Sequence, residues 1–225
     1  EVDNKKGDVE VIAWDKEQVS IKVVIVVETC NESKAQDLFE KINIDFSNGS
    51  SFVKAVTNIE EKSGAIWNKI TGCPTDYKIN YQVYMPRTNA LTLSNRYGDV
   101  YVDELSANTQ LILKYGNLKM EGVDGDLDLN LGYGNSYVIS AGNLLAEVKY
   151  SKLEFDNLGS ASINSKYSTF RIKEMENLES TTKYDKYRIG RVKRLVNVGK
   201  YDNWTVENAE SVEIQSRYTD VKVDE

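Results

Sequence analysis

The chain has 225 residues and a net charge of −7, and this acidic balance argues against general nucleic-acid binding. The sequence contains no histidine and only two cysteines, which excludes Ser-His-Asp and Cys-His nucleophilic sites, histidine-containing metal sites and a cysteine-based structural zinc site. No stretch is long and apolar enough to form a membrane-spanning helix, so we predict no transmembrane segment.

The start of the chain contains a pattern that returns later. The segment Lys6-Gly7-Asp8-Val9-Glu10-Val11 matches the segment Tyr97-Gly98-Asp99-Val100-Tyr101-Val102, so we predict that residues 1–14 form a degenerate first coil of a repeat structure. The sequence begins at Glu1 rather than at Met. We interpret this as a mature chain whose export signal has been removed, and we expect the protein in the periplasm, at the outer membrane or outside the cell.

Residues 15–90 interrupt the repeat and read as a small sheet with one helix. The first strand of this insertion alternates apolar residues at Val19, Ile21, Val23, Ile25 and Val27. Because Val24 and Val26 make its other face apolar too, we predict a long and well-buried strand. Asn31 or Ser33 caps a short helix. The apolar face of that helix is predicted to contain Ala35, Leu38, Phe39 and Ile42.

Further strands are predicted in the insertion over residues 42–46, 52–59 and 77–85, with a turn at Asn48-Gly49. Repeat arrays need their open ends covered, so we expect the insertion to cap one end of the array. No linker separates the two parts, and we interpret residues 1–225 as one domain. Cys30 and Cys73 both lie in the insertion, where a disulfide and two buried thiols are both compatible with the sequence.

A tyrosine returns every 17 or 18 residues in the rest of the chain, residues 91–225. Its positions are Tyr97, Tyr115, Tyr133, Tyr150, Tyr167, Tyr184, Tyr201 and Tyr218. Apolar residues follow the tyrosine at the third, fifth and eighth positions, as in Leu153, Phe155 and Leu158 after Tyr150. Spacing by two is typical of strands, and turn formers such as Gly116-Asn117 follow the tyrosine. Each repeat is therefore predicted to contain short strands joined by turns.

Two arrangements fit this period, a parallel solenoid and antiparallel meanders. Meanders do not require the same residue at the same phase eight times, whereas stacked coils bring equal positions into contact. Pro74 and Pro86 lie outside the array, as expected if its strands are central. We predict an all-β, single-stranded parallel β-helix of about eight coils with 17–18 residues each. Because the apolar period of six found in left-handed hexapeptide coils is absent, we predict right-handed winding.

Basic residues precede the tyrosines at seven of the eight repeats. This column contains Arg96, Lys114, Gly132, Lys149, Lys166, Lys183, Lys200 and Arg217. If the coils stack, these residues form a ridge beside a tyrosine row in which Tyr150, Tyr167, Tyr184 and Tyr201 are stacking platforms. One interpretation is a binding strip for an anionic or sugar polymer. The other is structural, with lysine stems covering the tyrosines and cations near the ring faces, partly neutralised by Glu147, Glu179 and Glu213.

Several segments resemble the bacterial adhesin-like domains of the auto-transporter-adhesin-head type. They are GDVEVIAWD, NYQVYMP, LTLSNRYGDVYVDEL and the serial units KYGNL, KYSKL, KYSTF and KYDKY, and together they extend over most of the chain. The resemblance implies a β-helical protein that is exported or attached to the cell envelope. It supplies no catalytic residues to carry over.

We therefore predict a non-catalytic adhesin-like module with no cofactor and no metal site, which binds a polysaccharide or another envelope component or serves as a structural spacer. Self-association through an end or an edge of the solenoid fits the same features. The alternative is a polysaccharide-active, pectinase-like enzyme on a β-helix. Glu147 and Glu154 are its candidate carboxylates, but the sequence shows no opposing pair of the kind that glycoside hydrolysis requires.

Overall fold

The structure, a computed structural model, describes residues 1–60 and 75–224. Its first part contains β1 Val2–Asn4, β2 Val9–Trp14, β3 Ser20–Thr29, α1 Glu32–Phe39, β4 Ile42–Asn48, β5 Val53–Ile59 and β6 Thr75–Pro86. The repeat region contains β7 Leu91–Asn95, β8 Val100–Val102, β9 Thr109–Lys114, β10 Leu118–Gly132, β11 Asn135–Lys149, β12 Lys152–Lys166, β13 Thr169–Lys183, β14 Lys186–Lys200, β15 Asn203–Arg217 and β16 Asp220–Val223.

Successive repeats stack in parallel as a β-solenoid of about eight coils with about 17 residues per coil. Equal positions of the repeat are paired, so that Phe155 pairs with Ile172, Ile172 with Ile189, and Ile189 with Val206. This register confirms the predicted parallel solenoid and excludes meanders in the repeat region. The handedness of the winding stays a prediction.

Each complete coil is one strand of 15 residues that bends twice. In β12, pairing with the next coil is continuous over residues 152–155, 157–158 and 160–166, and it omits Asp156 and Gly159. These two omissions mark the bends, and the tyrosine turn closes the coil. We call the outer surface of the seven-residue runs, such as Ser160–Lys166 in β12, the long face.

The interior contains the alternate residues of these runs. Phe155 is buried and lies next to Ile172, as the period predicts. Phe170, Tyr187 and Trp204 form an internal stack with ring centroids 4.3 and 4.0 Å apart. Stacked aromatic rings of this size bury much apolar surface, and they make equal positions pack on each other in three consecutive coils.

Part of the inserted segment adds one layer to the parallel stack, and the rest of the segment covers that layer. β5 pairs in parallel with β1, and β6 pairs in parallel with β2, so β5 and β6 form a layer beyond the first coil. β4 then pairs antiparallel with β5, and β3 pairs antiparallel with β6. The side chain of Asn31 accepts a hydrogen bond from the Lys34 amide at the start of α1. Ile42 begins β4, so its predicted place on the helix face is wrong.

β3 is an edge strand, and the prediction that it is well buried is wrong. It pairs only with β6 among the described strands, and Val24 and Val26 keep 43% and 40% of their surface exposed. Apolar residues on both faces indicate a central strand only when layers cover both faces. Cys30 is disulfide-bonded, whereas Cys73 and Pro74 lie outside the described residues. Within those residues no helix is long and apolar enough to span a bilayer.

The residue after each tyrosine forms a column along one corner of the solenoid. In the early coils this residue is glycine, because a Cβ on Gly116 would lie 1.9 Å from the carbonyl oxygen of Gly98. In later coils it is Ser151, Ser168, Asp185, Asp202 and Thr219. There the backbone N–H of each coil donates to the side chain of the next, for example from Ser168 to Asp185 at 2.6 Å. The corner therefore carries a continuous hydrogen-bond ladder that ties coil to coil.

Candidate functional site

The tyrosines that define the period form a stacked ladder on the surface. Consecutive rings from Tyr97 to Tyr218 have centroids 4.7–5.1 Å apart and nearly parallel planes. Seven of these tyrosines, from Tyr115 to Tyr218, have φ between 53° and 61°. This left-handed conformation costs about 1–2 kcal/mol for an L-residue. Ring stacking, worth about 0.5–1.5 kcal/mol per pair, offsets that cost and explains why the turn uses tyrosine.

The backbone of this turn is fixed by neighbouring coils. The N–H of Tyr150 donates to the carbonyl oxygen of Lys166 at 3.1 Å, and the N–H of Tyr167 donates to that of Lys183 at 3.0 Å. The ladder tyrosines from Tyr97 to Tyr201 are 41–51% exposed, and Tyr218 is 79% exposed. The tyrosines are therefore held rigidly while each ring keeps an edge and a hydroxyl group toward solvent.

The basic residues that precede the tyrosines do form a row. Lys149, Lys166, Lys183, Lys200 and Arg217 occupy equal positions in consecutive paired strands. Gly132 separates them from Lys114 in the same register, and Arg96 directly follows β7 at the N-terminal end of the column. We call the uninterrupted part, from Lys149 to Arg217, the cation row.

Few acidic groups contact the cation row. Glu147 lies 3.9 Å from the ammonium group of Lys149. Glu179 pairs with Arg194 instead, at 3.3 Å, and Glu213 accepts a hydrogen bond from Gln215 at 3.1 Å. Among the described residues, Glu147 is the one acid with an ion pair to this row. The predicted neutralisation by Glu179 and Glu213 is therefore wrong, because the partners of these two carboxylates, Arg194 and Gln215, do not belong to the cation row.

Two lysines of the row lie over aromatic rings. The ammonium nitrogen of Lys166 is 5.0 Å from the ring centroid of Tyr167, and that of Lys183 is 5.2 Å from the ring centroid of Tyr184. Cation–π contacts at exposed sites contribute about 0.5–1 kcal/mol. They position the two charges without neutralising them, so the cations remain able to contact an anion.

A groove runs along the solenoid axis on the long face, beside the cation row. It has a volume of about 810 Å³ and joins a second hollow of about 510 Å³ through Gln110, Asp128 and Leu145. The larger hollow extends over six coils, with two outward residues from each. These are Gln110 and Ile112, Asp128 and Asn130, Leu145 and Glu147, Ser162 and Asn164, Glu179 and Thr181, and Val196 and Val198.

The groove and the cation row belong to one surface. Asn164 precedes Lys166 by two residues, and Thr181 precedes Lys183 by two. Residues two apart on a strand point to the same side about 7 Å from each other. The long face therefore places hydroxyl and amide groups, three separate carboxylates and exposed aliphatic side chains next to a line of cations. The sequence analysis missed this groove, although its positions lie three and five residues before each tyrosine.

The charges on the other side of the coils are arranged differently. Lys173 pairs with Asp156 at 2.8 Å, and Lys193 pairs with Glu176 at 2.7 Å. The hydrogen bond to Lys173 lowers the pKa of Asp156, and the same contact raises the pKa of Lys173. Most cations there pair with acids on neighbouring coils, with Arg188 as an exception, so among the described residues that side has no comparable row of unpaired cations.

An acidic hollow of about 410 Å³ lies near the N-terminal end, where Asp15, Asp103, Glu104 and Glu121 meet Arg87. Arg87 pairs with Glu104 at 3.3 Å, and Asp103 accepts a backbone hydrogen bond from Ala13 at 3.0 Å. A hydrogen bond to Asp103 raises the pKa of Tyr101 to about 12. In the part of the chain that the structure describes, no three His, Cys, Asp or Glu side chains are grouped to hold a metal ion.

Glu154, the other candidate carboxylate of the sequence, lies on the side away from the groove. It pairs with Lys152, and its carboxylate is 3.7 Å from Arg171. Glu147 lies in the groove. The two candidates are therefore on different surfaces and do not act on one bound molecule.

Comparison of the chain with known protein families finds no family that matches it. Comparison with curated proteins finds no match either. The cation row, the tyrosine ladder and the groove are thus interpreted from their geometry and chemistry. The resemblance to adhesin-like domains stays a prediction.

Proposed function

We propose that this chain is a non-catalytic binding module that holds an elongated anionic polymer, such as an acidic polysaccharide, along the long face of the solenoid. The observation that carries the proposal is the cation row itself. Five cations occupy the same position in five consecutive coils beside an axial groove, and only Lys149 has an acidic partner among the described residues.

Electrostatics supports a polymeric anion rather than a small one. Two unit charges about 5 Å apart repel each other by roughly 1 kcal/mol in water and by more beside a protein surface. An anionic chain lying along the row relieves this repulsion at every coil. Each contact contributes about 0–1 kcal/mol, but contacts along one chain add up as avidity.

The direct test replaces Lys149, Lys166, Lys183 and Lys200 by glutamine. We expect the parent protein to bind acidic polysaccharides with an affinity that falls steeply with added salt, and the quadruple variant to lose that binding while its melting temperature changes little. The measurement is a polysaccharide-array screen, followed by titration of the positive polymers at several ionic strengths.

A matched control removes four cations from the other side of the coils. It replaces Arg171, Lys173, Arg188 and Arg191 by glutamine, which changes the net charge equally, and it should retain binding. Equal loss in both variants would indicate attraction to total charge only. If no anionic polymer binds the parent at low salt and the quadruple lysine variant unfolds much earlier, the row is structural and the proposal is wrong.

Attachment to a cell envelope, through adhesion or as part of an extracellular matrix, is the setting that we propose for this module. It combines the resemblance to adhesin-like domains with a surface suited to an extended polymer. Self-association through an end of the solenoid belongs to the same proposal. Residues 211–217 of β15 pair with β14 on one side, but their other edge has no partner strand among the described residues, because β16 pairs only with Asn203–Val206.

The alternative proposal is an enzyme that acts on the same polymer. It is favoured by the three groove carboxylates Asp128, Glu147 and Glu179. In the strand register, however, Asn130 rather than Asp128 is opposite Glu147, and Ser162 separates the position of Leu145 from that of Glu179. Glu147 is thus offset along the strands from both other acids, and Asp128 and Glu179 occupy one register position three coils apart. Binding without cleavage is the function that we favour.

A further inference from the structure

We infer that the polymer on the long face is a linear polyuronate, a chain of 1,4-linked sugar rings that carries one carboxylate on each ring. This inference rests on the function proposed above and specifies its ligand. Three properties of the long face support it: the rise from coil to coil, the chemistry of the groove, and the number of coils that the groove extends over.

The rise of the coils matches the length of a sugar residue. Successive ladder rings are 4.7–5.1 Å apart, and Lys166, Lys183 and Lys200 advance by the same step because they are paired in register. That step is close to the length of one pyranose ring in an extended 1,4-linked chain. Each coil therefore presents one cation to one sugar, and the long flexible lysine stems reach carboxylates on either edge of the polymer.

The groove supplies partners for the uncharged part of such a sugar. Asn164 and Thr181 are exposed beside the cation row, and neither side chain has a hydrogen bond to another described residue. Their amide and hydroxyl groups suit the hydroxyl groups of a sugar ring. Leu145 and Val198 keep 58% and 53% of their surface exposed and suit its apolar face. An inorganic polyphosphate can accept hydrogen bonds from Asn164 and Thr181, but it has no apolar surface for Leu145 and Val198.

The length of the surface sets the length of the ligand. The groove extends over six coils, and the cation row contains five residues. The groove and the cation row share four coils, so a chain of five or six uronate residues contacts every cation of the row and extends into the groove. Shorter chains leave cations uncontacted, and the additional residues of longer chains lie beyond the row.

The experiment is calorimetric titration of the full chain with oligouronates of defined length at low salt. We expect the affinity to rise by up to about fivefold per added residue, as one exposed ion pair allows, and to level off at five or six residues. The same oligosaccharides with their carboxyl groups reduced to alcohols should not bind measurably.

Two pairs of variants separate the contributions. Lys166→Gln with Lys183→Gln should weaken hexauronate binding at least fivefold, whereas the charge-matched control Arg171→Gln with Arg188→Gln should not. Leu145→Ser with Val198→Ser should weaken hexauronate binding and leave binding of polyphosphate of equal charge unchanged, because only the sugar has an apolar face for these exposed side chains.

The outcomes distinguish this inference from the proposed function. If polyphosphate binds as tightly as hexauronate and the Leu145 and Val198 variant changes nothing, the inference is overturned while the proposal of an anionic polymer stands. If no polyanion binds the parent, or if the reduced oligosaccharide binds equally well, both are overturned.

Discussion

Asp185 is a buried carboxyl group whose protonation we expect to control part of the stability. Its Oδ1 accepts a hydrogen bond from the Ser168 amide at 2.6 Å, and its Oδ2 accepts from the Ser165 hydroxyl at 2.8 Å and the Lys183 amide at 3.1 Å. Burial outweighs these bonds and raises the pKa of Asp185 to about 6. In the unfolded chain the pKa of an aspartate is about 3.9.

The direction of the effect follows from this difference. Because the folded state holds the proton more tightly, the stabilisation from Asp185 is complete below the unfolded pKa and is lost as the pH rises through about 6. Between pH 5 and pH 7 the folded-state carboxyl group goes from mostly protonated to mostly ionised. We therefore expect it to make the free energy of unfolding about 1.3 kcal/mol larger at pH 5 than at pH 7. No histidine is present to titrate in this range.

The matched variant is Asp185→Ser, because Ser151 and Ser168 occupy the same corner position in earlier coils. Urea denaturation of both proteins at pH 5 and pH 7 isolates the contribution of the carboxyl group. Burial also lowers the pKa of the Glu1 amino group, but that effect is common to both proteins and cancels. We expect the change in stability between the two pH values to differ by about 1.3 kcal/mol between parent and variant.

Amide NMR provides a local measurement of the same event. The backbone N–H groups of Ser168 and Lys183 both donate to Asp185, so their chemical shifts should titrate together with a midpoint near pH 6. Identical pH dependence of unfolding in parent and variant, or amide shifts that stay constant between pH 5 and pH 7, would refute the reasoning.

Four further predictions follow from the packing and from the site. Phe155→Ala should cost about 3–5 kcal/mol in denaturant melts, and a loss below about 1 kcal/mol would contradict its core position. Tyr167→Ala should be less stable than Tyr167→Gly by about 1 kcal/mol, because only glycine adopts the positive φ without strain; equal melting temperatures would argue against that strain. Gly116→Ala should unfold at a much lower temperature than Gly132→Ala, whose added Cβ meets its nearest neighbour at 3.7 Å, and similar melting of the two would disprove the clash. Acidic polysaccharides should yield no product on incubation with the protein, and product release that disappears in Glu147→Gln would establish the enzyme instead.

The solenoid could be predicted from the sequence because stacking makes each position repeat. Leu153, Phe170 and Tyr187 occur at one phase and pair in one register, so the period directly encodes the contacts. The insertion has no such period. Nothing in Val53–Ile59 shows that it stacks on β1, and the apolar residues of β3 could not reveal that one face lacks a covering layer. Both properties depend on the tertiary arrangement.

The candidate site could be predicted only in part, for the same reason. The cation row was visible because one residue type recurs at one position. The groove positions hold residues as different as Ile112, Asn130, Glu147 and Thr181, so no column of like residues marks them. What they share is a place on the outer surface of the same run in each coil, and no single residue type marks that place.

The polar corner has a consequence for how the coils find their partners. A chain of near-identical repeats risks pairing one coil out of step, since a slip by a whole coil preserves the in–out alternation that normally fixes register. Asp185 reaches Ser165, and Asp202 reaches Thr182 at 2.7 Å. One coil earlier, the position of Ser165 is occupied by Val148. A slip would set the carboxyl group of Asp185 against valine and remove its hydrogen bond from Ser165, and the loss of a hydrogen bond to a charged group costs about 1.5–3 kcal/mol. These buried polar pairs therefore destabilise any arrangement in which a coil pairs with the wrong neighbour, and they favour the native register while the solenoid assembles.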